Sequence, residues 1–357
     1  MKKVLIFAAA VCACWAARAQ SSVTLFGIVD ATLTYGTASG AGSSHRWQLA
    51  SSGYNASRLG LRGQEDLGGG LSAGFWLEAG MANDNGAGLA TNTNNQASGA
   101  APAPLAGAAG LTFNRRSTVS LSGNWGELRL GRDYTPQIWN LLLFDPFGAL
   151  GAGAAQPYVA AINGVTQVRA SNSVGYFLPA NLGGIYGQAQ AYLGENPRDG
   201  ANTERDGDGA GVRVGYAAGP LDVALAASRT RYAAGDVRQN NLALKWQIGP
   251  ARLLGVLVRD RNATVSGNGF VAGAIYAIGA GELRAAFSRY ATSAAGSPAA
   301  RKFSLGYVYN LSKQTALYTT VAHLKNRGSS KMTINGAVAG GLGESSTGFD
   351  LGIRRSF

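Results

Sequence analysis

Arginine side chains alternate with apolar residues in several short segments of this chain. Arg129, for example, lies between Leu128 and Leu130. Positive side chains that ring an aqueous passage lower the electrostatic barrier for anions and raise it for cations. The residues that we predict to form such a ring are Arg58, Arg62, Arg116, Arg129, Arg132 and Arg169, with Asp145 as the carboxylate among them.

Groups that perform covalent catalysis or bind metals are scarce. The chain has two histidines, His45 and His323, and both cysteines, Cys12 and Cys14, lie near its N-terminus. The chain therefore has almost none of the histidines and cysteines that a nucleophilic triad or a zinc site requires, and we predict no cofactor and no metal.

One acidic segment invites comparison with calcium sites. Asp206 and Asp208 alternate with glycine, and Glu204 is close by. The full ligand spacing of a calcium loop is missing, so we interpret the segment as a solvated loop.

The first nineteen residues have the order of a secretory signal peptide. Lys2 and Lys3 precede an apolar run at residues 4–17, and the segment closes with Ala17-Arg18-Ala19. The run is shorter than the roughly 20 residues of a spanning helix, and a small residue on either side of Arg18 is typical of a cleavage site. We expect cleavage before Gln20, which leaves residues 20–357 as a single exported domain.

Charge and composition narrow the class of protein. Charged residues make up 14% of the chain, below the roughly 25% of an average soluble domain. Removal of the signal segment lowers the formal net charge from +12 to +9, because the segment carries three positive charges and no negative one. This balance suits anionic lipid or anionic solutes, and export argues against a nucleic acid partner.

Period-two alternation recurs along the chain in segments of about ten residues, which is typical of a membrane barrel. In the first, Leu25, Val29 and Leu33 share one face and Asp30 lies opposite. Further segments begin near Ser57, Leu71, Ser117, Gly126, Arg169, Gly184, Gly211, Leu221, Gln239, Arg252, Phe270, Glu282, Lys302, Thr315 and Thr347. Since no later stretch is apolar enough for a membrane helix, we predict an all-β fold, an antiparallel transmembrane β-barrel of about 16 strands.

The connections between these segments alternate between short and long. Short connections include residues 66–70, 124–125 and 249–250, whereas residues 35–55, 83–113, 134–167, 195–210 and 326–346 form longer ones. Tight turns on one rim and long loops on the other are typical of outer-membrane barrels, with the turns in the periplasm and the loops outside.

The alternation also predicts which face of the barrel is wet. If apolar positions such as Leu61 and Val119 face lipid, the opposite parity carries most of the arginines and lysines. Charged side chains are almost never fully buried unless paired, so the interior must hold water. A barrel of about 16 strands leaves an aqueous channel. Arg132 shares the parity of Leu128 and Leu130, so whether its side chain faces the lumen or the outside stays open.

The segment at residues 134–167 is too apolar to extend freely into solvent. It contains Leu141-Leu142-Leu143-Phe144, and Asp145 is its only carboxylate. We expect it to fold into the lumen beside the inward arginines and to form a basic constriction that favours anions. In the alternative, Glu78, Glu127 and Asp133 neutralise several arginines, or the arginines bind lipid phosphates at the rim.

Several motifs, taken together, resemble the general porins of β-proteobacteria. They are SVTLFGIVD at 22–30, SRLGLRGQEDLG at 57–68, LGRDYTP at 130–136, NSVGY at 172–176, NLSKQT at 310–315 and LGIRRSF at 351–357. The resemblance implies an outer-membrane homotrimer of 16-stranded barrels, each with an inward-folded third loop, which passes small, mainly anionic solutes by passive diffusion.

The resemblance also implies roles for individual residues. Arg58 and Arg116 match positions that line such pores, and Phe357 resembles the aromatic terminus that the barrel assembly machinery reads. Arg355 stands where the family often has histidine, and the pair at Arg115 and Arg116 leaves open which side chain points inward. Outer-membrane lipid and lipopolysaccharide are further expected partners.

Two other functions stay open at this level. A barrel adhesin would use its external loops to contact host surfaces, and such barrels tend to be smaller and filled. An outer-membrane phospholipase would need His323 beside Ser288 or Ser304 on one exterior face of the barrel.

Overall fold

The computed structural model describes residues 22–91, 95–96 and 110–357. The predicted signal peptide, residues 1–19, and its cleavage site before Gln20 lie outside the described residues. Most of the Ala/Gly/Asn-rich stretch at residues 86–110 also lies outside them.

The fold is built almost entirely from antiparallel β-strands. They are β1 (Ser22–Ala38), β2 (His45–Ser51), β3 (Arg58–Gly68), β4 (Leu71–Ala82), β5 (Ala87–Gly88), β6 (Arg116–Gly123), β7 (Gly126–Tyr134), β8 (Arg169–Phe177), β9 (Ile185–Tyr192), β10 (Gly209–Ala218), β11 (Leu221–Thr230), β12 (Val237–Ile248), β13 (Ala251–Asn262), β14 (Val265–Ile278), β15 (Gly281–Thr292), β16 (Ala299–Asn310), β17 (Thr315–Arg327) and β18 (Ser345–Ser356). Two helices, α1 (Pro136–Leu143) and α2 (Gln156–Val159), lie between β7 and β8.

The strands close into one barrel with 16 strand positions around its wall, each of which is called a stave below. Each strand pairs with its neighbours along the chain, and β1 pairs with β18 from Ile28–Ser356 to Ala38–Ser346. One half of β1 pairs with β2 and the other half with β3, so β2 and β3 are two parts of a single stave. The two-residue β5 only bridges to β4. The predicted 16-stranded antiparallel barrel is confirmed.

The first long connection differs from the sequence prediction. The sequence predicts a loop at residues 35–55, but β1 continues to Ala38 and β2 returns along it from His45 to Ser51. Trp47 and Leu49 on β2 lie on the outside and are more than half exposed. The short alternating run in β2 lies between serine- and glycine-rich segments, which obscure its strand pattern.

Tight turns occupy one rim, the turn rim, where neighbouring strands are joined by connections such as residues 219–220, 249–250 and 279–280. The opposite rim, the loop rim, carries residues 83–91 and 110–115 and the long segments 135–168, 193–208 and 328–344. Residues 263–264 also lie at the loop rim although they join β13 and β14 with only two residues. The loop rim is therefore tall on some sides and low on others.

The outer surface is apolar at the alternate positions that the sequence assigned to lipid. Leu61, Leu130, Val214 and Leu305 are all exposed on the outside. Within the described residues, no helix is long and apolar enough to cross a bilayer. An apolar band of this kind around a closed barrel is the surface that hydrocarbon covers in an outer membrane.

The barrel should tolerate charge poorly at the middle of this band. Leu257, near the middle of β13, is 59% exposed on the outer face. Leu257→Arg is expected to lower the free energy of unfolding in lipid vesicles by about 2–4 kcal/mol, because a guanidinium would enter hydrocarbon. Denaturant titration of vesicle-inserted protein measures this loss. The control Leu311→Arg, in a connection at the turn rim, should cost far less, and equal losses would argue against this membrane placement.

Candidate functional site

The connection between β7 and β8, residues 135–168, folds into the barrel interior and is called the inner loop below. α1 begins with Pro136, which suits a first helical turn because that position needs no backbone donor. Ile138 and Phe144 are fully buried against the inner wall, where they meet small and apolar residues that include Ala243 and Val256. The predicted inward fold of this segment is confirmed.

Hydrogen bonds, in addition to apolar packing, hold α1 against the barrel wall. Asn140 donates from Nδ2 to Asn241 Oδ1 at 2.7 Å and accepts from Arg213 Nε at 2.7 Å. Asn241 in turn donates to the backbone carbonyl of Gln137 at 2.9 Å. Since buried polar groups are costly unless satisfied, this network sets one position for the helix.

Asp145 organises the turn after α1. Its carboxylate accepts backbone hydrogen bonds from Phe147 at 3.0 Å, Ala149 at 3.1 Å and Ala155 at 3.3 Å. Burial raises the pKa of Asp145 above its ordinary value, although these three backbone donors oppose the rise. Asp145 therefore shapes the inner loop, and its predicted part in the charge of the constriction stays a prediction.

The tip of the inner loop is held by two charged side chains of the wall. Lys302 Nζ donates to the carbonyl oxygen of Ala152 at 2.9 Å, and Asp350 Oδ2 accepts from the amide of Ala152 at 2.6 Å. Lys302 and Asp350 come from β16 and β18, which are seven and five strand positions away from β7 around the barrel. The loop thus crosses the lumen and narrows it.

A cavity of about 640 Å³ remains between the inner loop and the wall. Six arginines and three carboxylates line it: Arg58, Arg115, Arg116, Arg169, Arg252 and Arg284, with Glu78, Asp133 and Asp145. The lining residues have a formal surplus of three positive charges, and Glu282, outside the lining, pairs with Arg284 at 2.7 Å and lies 3.6 Å from Arg252. The structure thus brings together Arg58, Arg116, Arg169 and Asp145 of the predicted set.

Several of these arginines lie over aromatic rings. The guanidinium carbon of Arg169 lies 4.2 Å from the ring centre of Tyr134, and that of Arg116 lies 4.5 Å from Trp76. The Tyr134 hydroxyl accepts hydrogen bonds from both Arg115 and Arg169 at 2.6 Å. Such contacts hold the cations in place without neutralising them.

The carboxylates compensate some arginines more than others. Arg115 Nε lies 2.5 Å from Glu78 Oε1, whereas Arg58 Nε lies 3.6 Å from the same oxygen. Arg116 Nε lies 3.8 Å from Asp133 Oδ2. Arg58 and Arg116 thus have looser ionic contacts than Arg115 has.

Arg62 and Arg129 line a second cavity, of about 420 Å³, towards the turn rim. This cavity shares Trp76 and Arg116 with the first one, so the two adjoin. Arg129 forms close ion pairs with Glu127 at 2.8 Å and with Asp133 at 2.6 Å. These two distances are those expected if Glu127 and Asp133 neutralise Arg129.

Arg132 lines neither cavity. Its guanidinium donates to the carbonyl of Asn114 at 2.7 Å and to Ser171 Oγ at 2.8 Å. The register between β7 and β8 shifts between Gly131 and Asp133. This irregularity ends the regular alternation and leaves Arg132 tying strand ends together.

Sequence reasoning left the direction of Arg115 open and missed Arg252 as a lining residue. Arg115 precedes β6 and therefore has no strand parity. On β13, Leu254 and Val256 face inward although they are apolar, because the inner loop packs near them. The assumption that apolar positions face lipid fails on such a strand, so the sequence pattern did not assign Arg252 to the lumen.

Phe357 lies at the seam where the barrel closes. Its backbone exchanges two hydrogen bonds with Gly27, at 3.0 and 3.1 Å. A side chain at Gly27 would collide with the Phe357 ring. The role of Phe357 as an assembly signal stays a prediction.

The residues considered for other chemistry do not converge. His323 is exposed on the outside and shares a hydrogen bond with Thr347 at 2.8 Å, whereas Ser288 and Ser304 are buried on the inner side. The pair that a phospholipase needs is thus split between two faces of the sheet. Within the described residues, no cluster of histidine, cysteine or acidic side chains is arranged to hold a metal ion.

A closed barrel with an apolar outer band, a charged lumen and an inner loop across that lumen defines a pore-forming protein of the outer-membrane type. Sequence comparison agrees. The Gram-negative porin family matches residues 7–329, and the chain belongs to that family. It is an outer-membrane porin.

Individual relatives cover the whole molecule. The chain is 40% identical to outer membrane porin protein 32 of Delftia acidovorans, over 100% of both chains. It is 28% identical to an outer membrane porin protein of Bordetella pertussis, over 91% of this chain and 95% of that one. The solved anion-selective porin from Comamonas acidovorans matches with a TM-score of 0.79 at 37% identity, over 94% of this chain and 100% of that one.

Removal of the Asp145 carboxylate should loosen the inner loop. Asp145→Ala leaves three backbone donors without their acceptor, at a cost of about 1–3 kcal/mol for each one that stays buried. We expect faster hydrogen exchange at residues 147–155 and noisier single-channel currents. Asn163→Ala removes only an exposed contact of the same loop and serves as the control. Equal exchange in both variants would contradict the role given to Asp145.

Proposed function

We propose that this porin passes small hydrophilic solutes by general diffusion and prefers anions. The observation that carries the proposal is the lining of the cavity beside the inner loop, with six arginines and three carboxylates. One of the three, Asp145, is buried and engaged by backbone amides, so it offers little negative charge to a passing ion.

The size of the electrostatic effect is sufficient for a preference. One unit charge acts on another at about 4 Å with about 1 kcal/mol in water, which corresponds to roughly a fivefold change in local ion concentration. Salt screens this charge–charge interaction over about 8 Å at physiological ionic strength, so only arginines at the narrowest part of the lumen affect ion selectivity strongly. Arg58 and Arg116 line the cavity beside the inner loop, which supports a place for them on the path of the solute.

The stacking of arginines on Trp76 and Tyr134 supports the same proposal. Free arginines would repel one another and turn away towards bulk water. Contacts with Tyr134 and Trp76 hold Arg169 and Arg116 at the cavity wall, and the ionic contact of Arg116 with Asp133 is long, at 3.8 Å. The relative from Comamonas acidovorans is itself named as anion-selective, and the likeness covers nearly the whole chain.

The assembly of the protein follows from its resemblance to general porins. We propose that residues 1–19 are removed on export, that the barrel assembly machinery reads the end at Phe357, and that three barrels associate. Exposed apolar side chains on the first strands, such as Leu25, Leu49 and Phe75, are available for contacts between barrels.

An enzymatic role has less support. The relatives reported above are named as porins, and the serine and histidine of the phospholipase hypothesis lie on opposite faces. An adhesin role is also disfavoured, because a barrel of 16 staves with a cavity beside its inner loop differs from a small, filled one.

Neutralising the two looser arginines should reduce anion preference. In Arg58→Gln with Arg116→Gln, the anion-to-cation permeability ratio is expected to fall about two- to fivefold per arginine, because each lost charge contributes about 1 kcal/mol or less. Reversal potentials in a potassium chloride gradient across a planar bilayer measure the ratio. Arg198→Gln with Arg205→Gln, in the connection at residues 193–208, removes the same charge away from the lumen. An unchanged ratio in the first variant would refute the proposal.

The trimer is tested separately. Unheated samples on a denaturing gel should migrate far above the position of the heated monomer, because three associated barrels migrate as one larger particle. Chemical crosslinking should stop at three copies. A band at the monomer position without heating, together with intact barrel circular dichroism, would show that the barrels do not associate.

A further inference from the structure

Part of the connection between β17 and β18 lies inside the lumen. This connection, residues 328–344, is called the last loop below. Asn326, near the end of β17, closes it into a compact turn by donating hydrogen bonds to the carbonyl oxygens of Met332 at 2.8 Å and Glu344 at 2.6 Å. Ile334, in the middle of the last loop, is buried and packs with Leu324 of the inner wall. The last loop therefore enters the barrel from the loop rim.

A pair of glycines in the wall makes room for the last loop. Gly36 on β1 and Gly348 on β18 are direct cross-strand partners. A side chain at Gly36 would collide with the carbonyl oxygen of Ile334, and a side chain at Gly348 would collide with the Cγ2 atom of Ile334. The wall accepts Ile334 at this place because both positions lack a side chain.

One carboxylate of the wall, Asp350, is bonded to both loops. Its Oδ1 atom accepts a hydrogen bond from Asn335 of the last loop at 2.9 Å. Its Oδ2 atom accepts one from the amide of Ala152, at the tip of the inner loop, at 2.6 Å. Ala152 and Ile334 also belong to one apolar cluster. Because a buried carboxylate is costly without its donors, the position of Asp350 depends on both loops.

The tip of the inner loop has little space in which to move. A side chain at Gly151 would collide with the carbonyl oxygen of Gly53, in the segment that joins β2 and β3, and with Asp350 Oδ2. On its other side, Lys302 donates to the carbonyl oxygen of Ala152 at 2.9 Å. A shift of Asp350 is therefore passed on to the tip.

The other end of the last loop lies at the outer surface. Val338 and Leu342 are exposed there. Val338 exchanges two hydrogen bonds with Ser44, which lies between β1 and β2, at 2.9 and 3.1 Å. The last loop thus connects the outer surface with the tip of the inner loop through a continuous series of hydrogen bonds and packed side chains.

We propose that the last loop is a lever on the pore: a load on its exposed end shifts Asn335 and Asp350, releases Ala152 and changes the conductance of the channel. Coupling between distant sites is carried by packed side chains and hydrogen-bond networks that have two discrete arrangements. Asn335 acts through Asp350 and is a positioning residue. The lever governs how far the pore opens, whereas the preference for anions rests on the arginines of the lumen.

The first experiment removes the amide of Asn335. The backbone of Asn335 is left-handed, with φ at 52°, and glycine and aspartate both adopt this conformation with little strain. In Asn335→Gly, closures in single-channel recordings and hydrogen exchange at residues 150–153 should rise about fivefold, the factor that one lost hydrogen bond corresponds to. Asn335→Asp should raise both further, because it places a second carboxylate beside Asp350. Unchanged closures and exchange in both variants would overturn the proposal.

A hydrogen bond elsewhere in the same loop provides the control. The hydroxyl of Ser329 donates to the carbonyl oxygen of Ala295, in the neighbouring connection, at 2.9 Å and does so on the exposed side. Ser329→Ala should leave closures and hydrogen exchange at residues 150–153 as they are in the original chain. A rise equal to that of Asn335→Gly would show that any loosening of the last loop acts alike, and would remove the role given to Asn335.

The second experiment loads the last loop from outside. The chain has no cysteine after residue 19, so Leu342→Cys in the chain from residue 20 onward can be biotinylated and bound by streptavidin during recording. Streptavidin added on the loop side should change the closure rate about fivefold or more, the lower end of typical coupling between sites. The same load at Ala234→Cys, an exposed position in the connection at residues 231–236, should have no such effect.

Combining the two experiments separates a lever from an obstruction of the channel mouth. Streptavidin that only obstructs the mouth would act equally on Leu342→Cys and on Leu342→Cys with Asn335→Gly. A lever that works through Asn335 loses most of its effect in the second chain, and an equal effect in both would overturn the proposal. The reversal potential should keep its sign in all of these variants, since Arg58 and Arg116 are intact. The lever and the anion preference can therefore fail independently.

Discussion

The need to pair every backbone N–H and C=O group inside a bilayer governs this structure. Hydrocarbon offers no partner for these groups, and a sheet satisfies them only if it has no edge. The pairing of β1 with β18 meets that need, and the terminal residue Phe357 completes it at Gly27. Closure with 16 staves makes an interior too wide for wall side chains alone to fill. Water and the inner loop share that interior.

The inner loop turns a wide barrel into a selective one. Its apolar residues, Ile138 and Phe144, require the wall to offer apolar partners, so strands β11–β15 carry alanine and valine on their inner face. The opposite wall, around Arg58 and Arg116, is left to face the solute. Charged side chains on the side that holds the loop, such as Arg213 and Lys302, are bonded to the loop itself.

Positive charge lies on both faces of the same sheet. Inside, arginines are fixed by aromatic rings and by a limited number of carboxylates, which keeps a net positive field in the passage. Outside, Arg238 lies opposite Arg229 and Arg261, and Arg301 lies opposite Arg289 and Lys325. Strand parity alone separates the two sets.

The sequence by itself determined the strand number, the parity of most staves and the inward fold of the loop, because alternation and turn spacing are local properties. It could not decide which arginines share the constriction. Arg252 was missed because apolar residues of the same strand, Leu254 and Val256, also face inward, and Arg115 was left open because it precedes a strand. A register shift between β7 and β8 places Arg132 outside the two cavities, and backbone amides of the inner loop bind the Asp145 carboxylate. Those outcomes depend on which distant strand meets the inner loop, and only the closed barrel decides that.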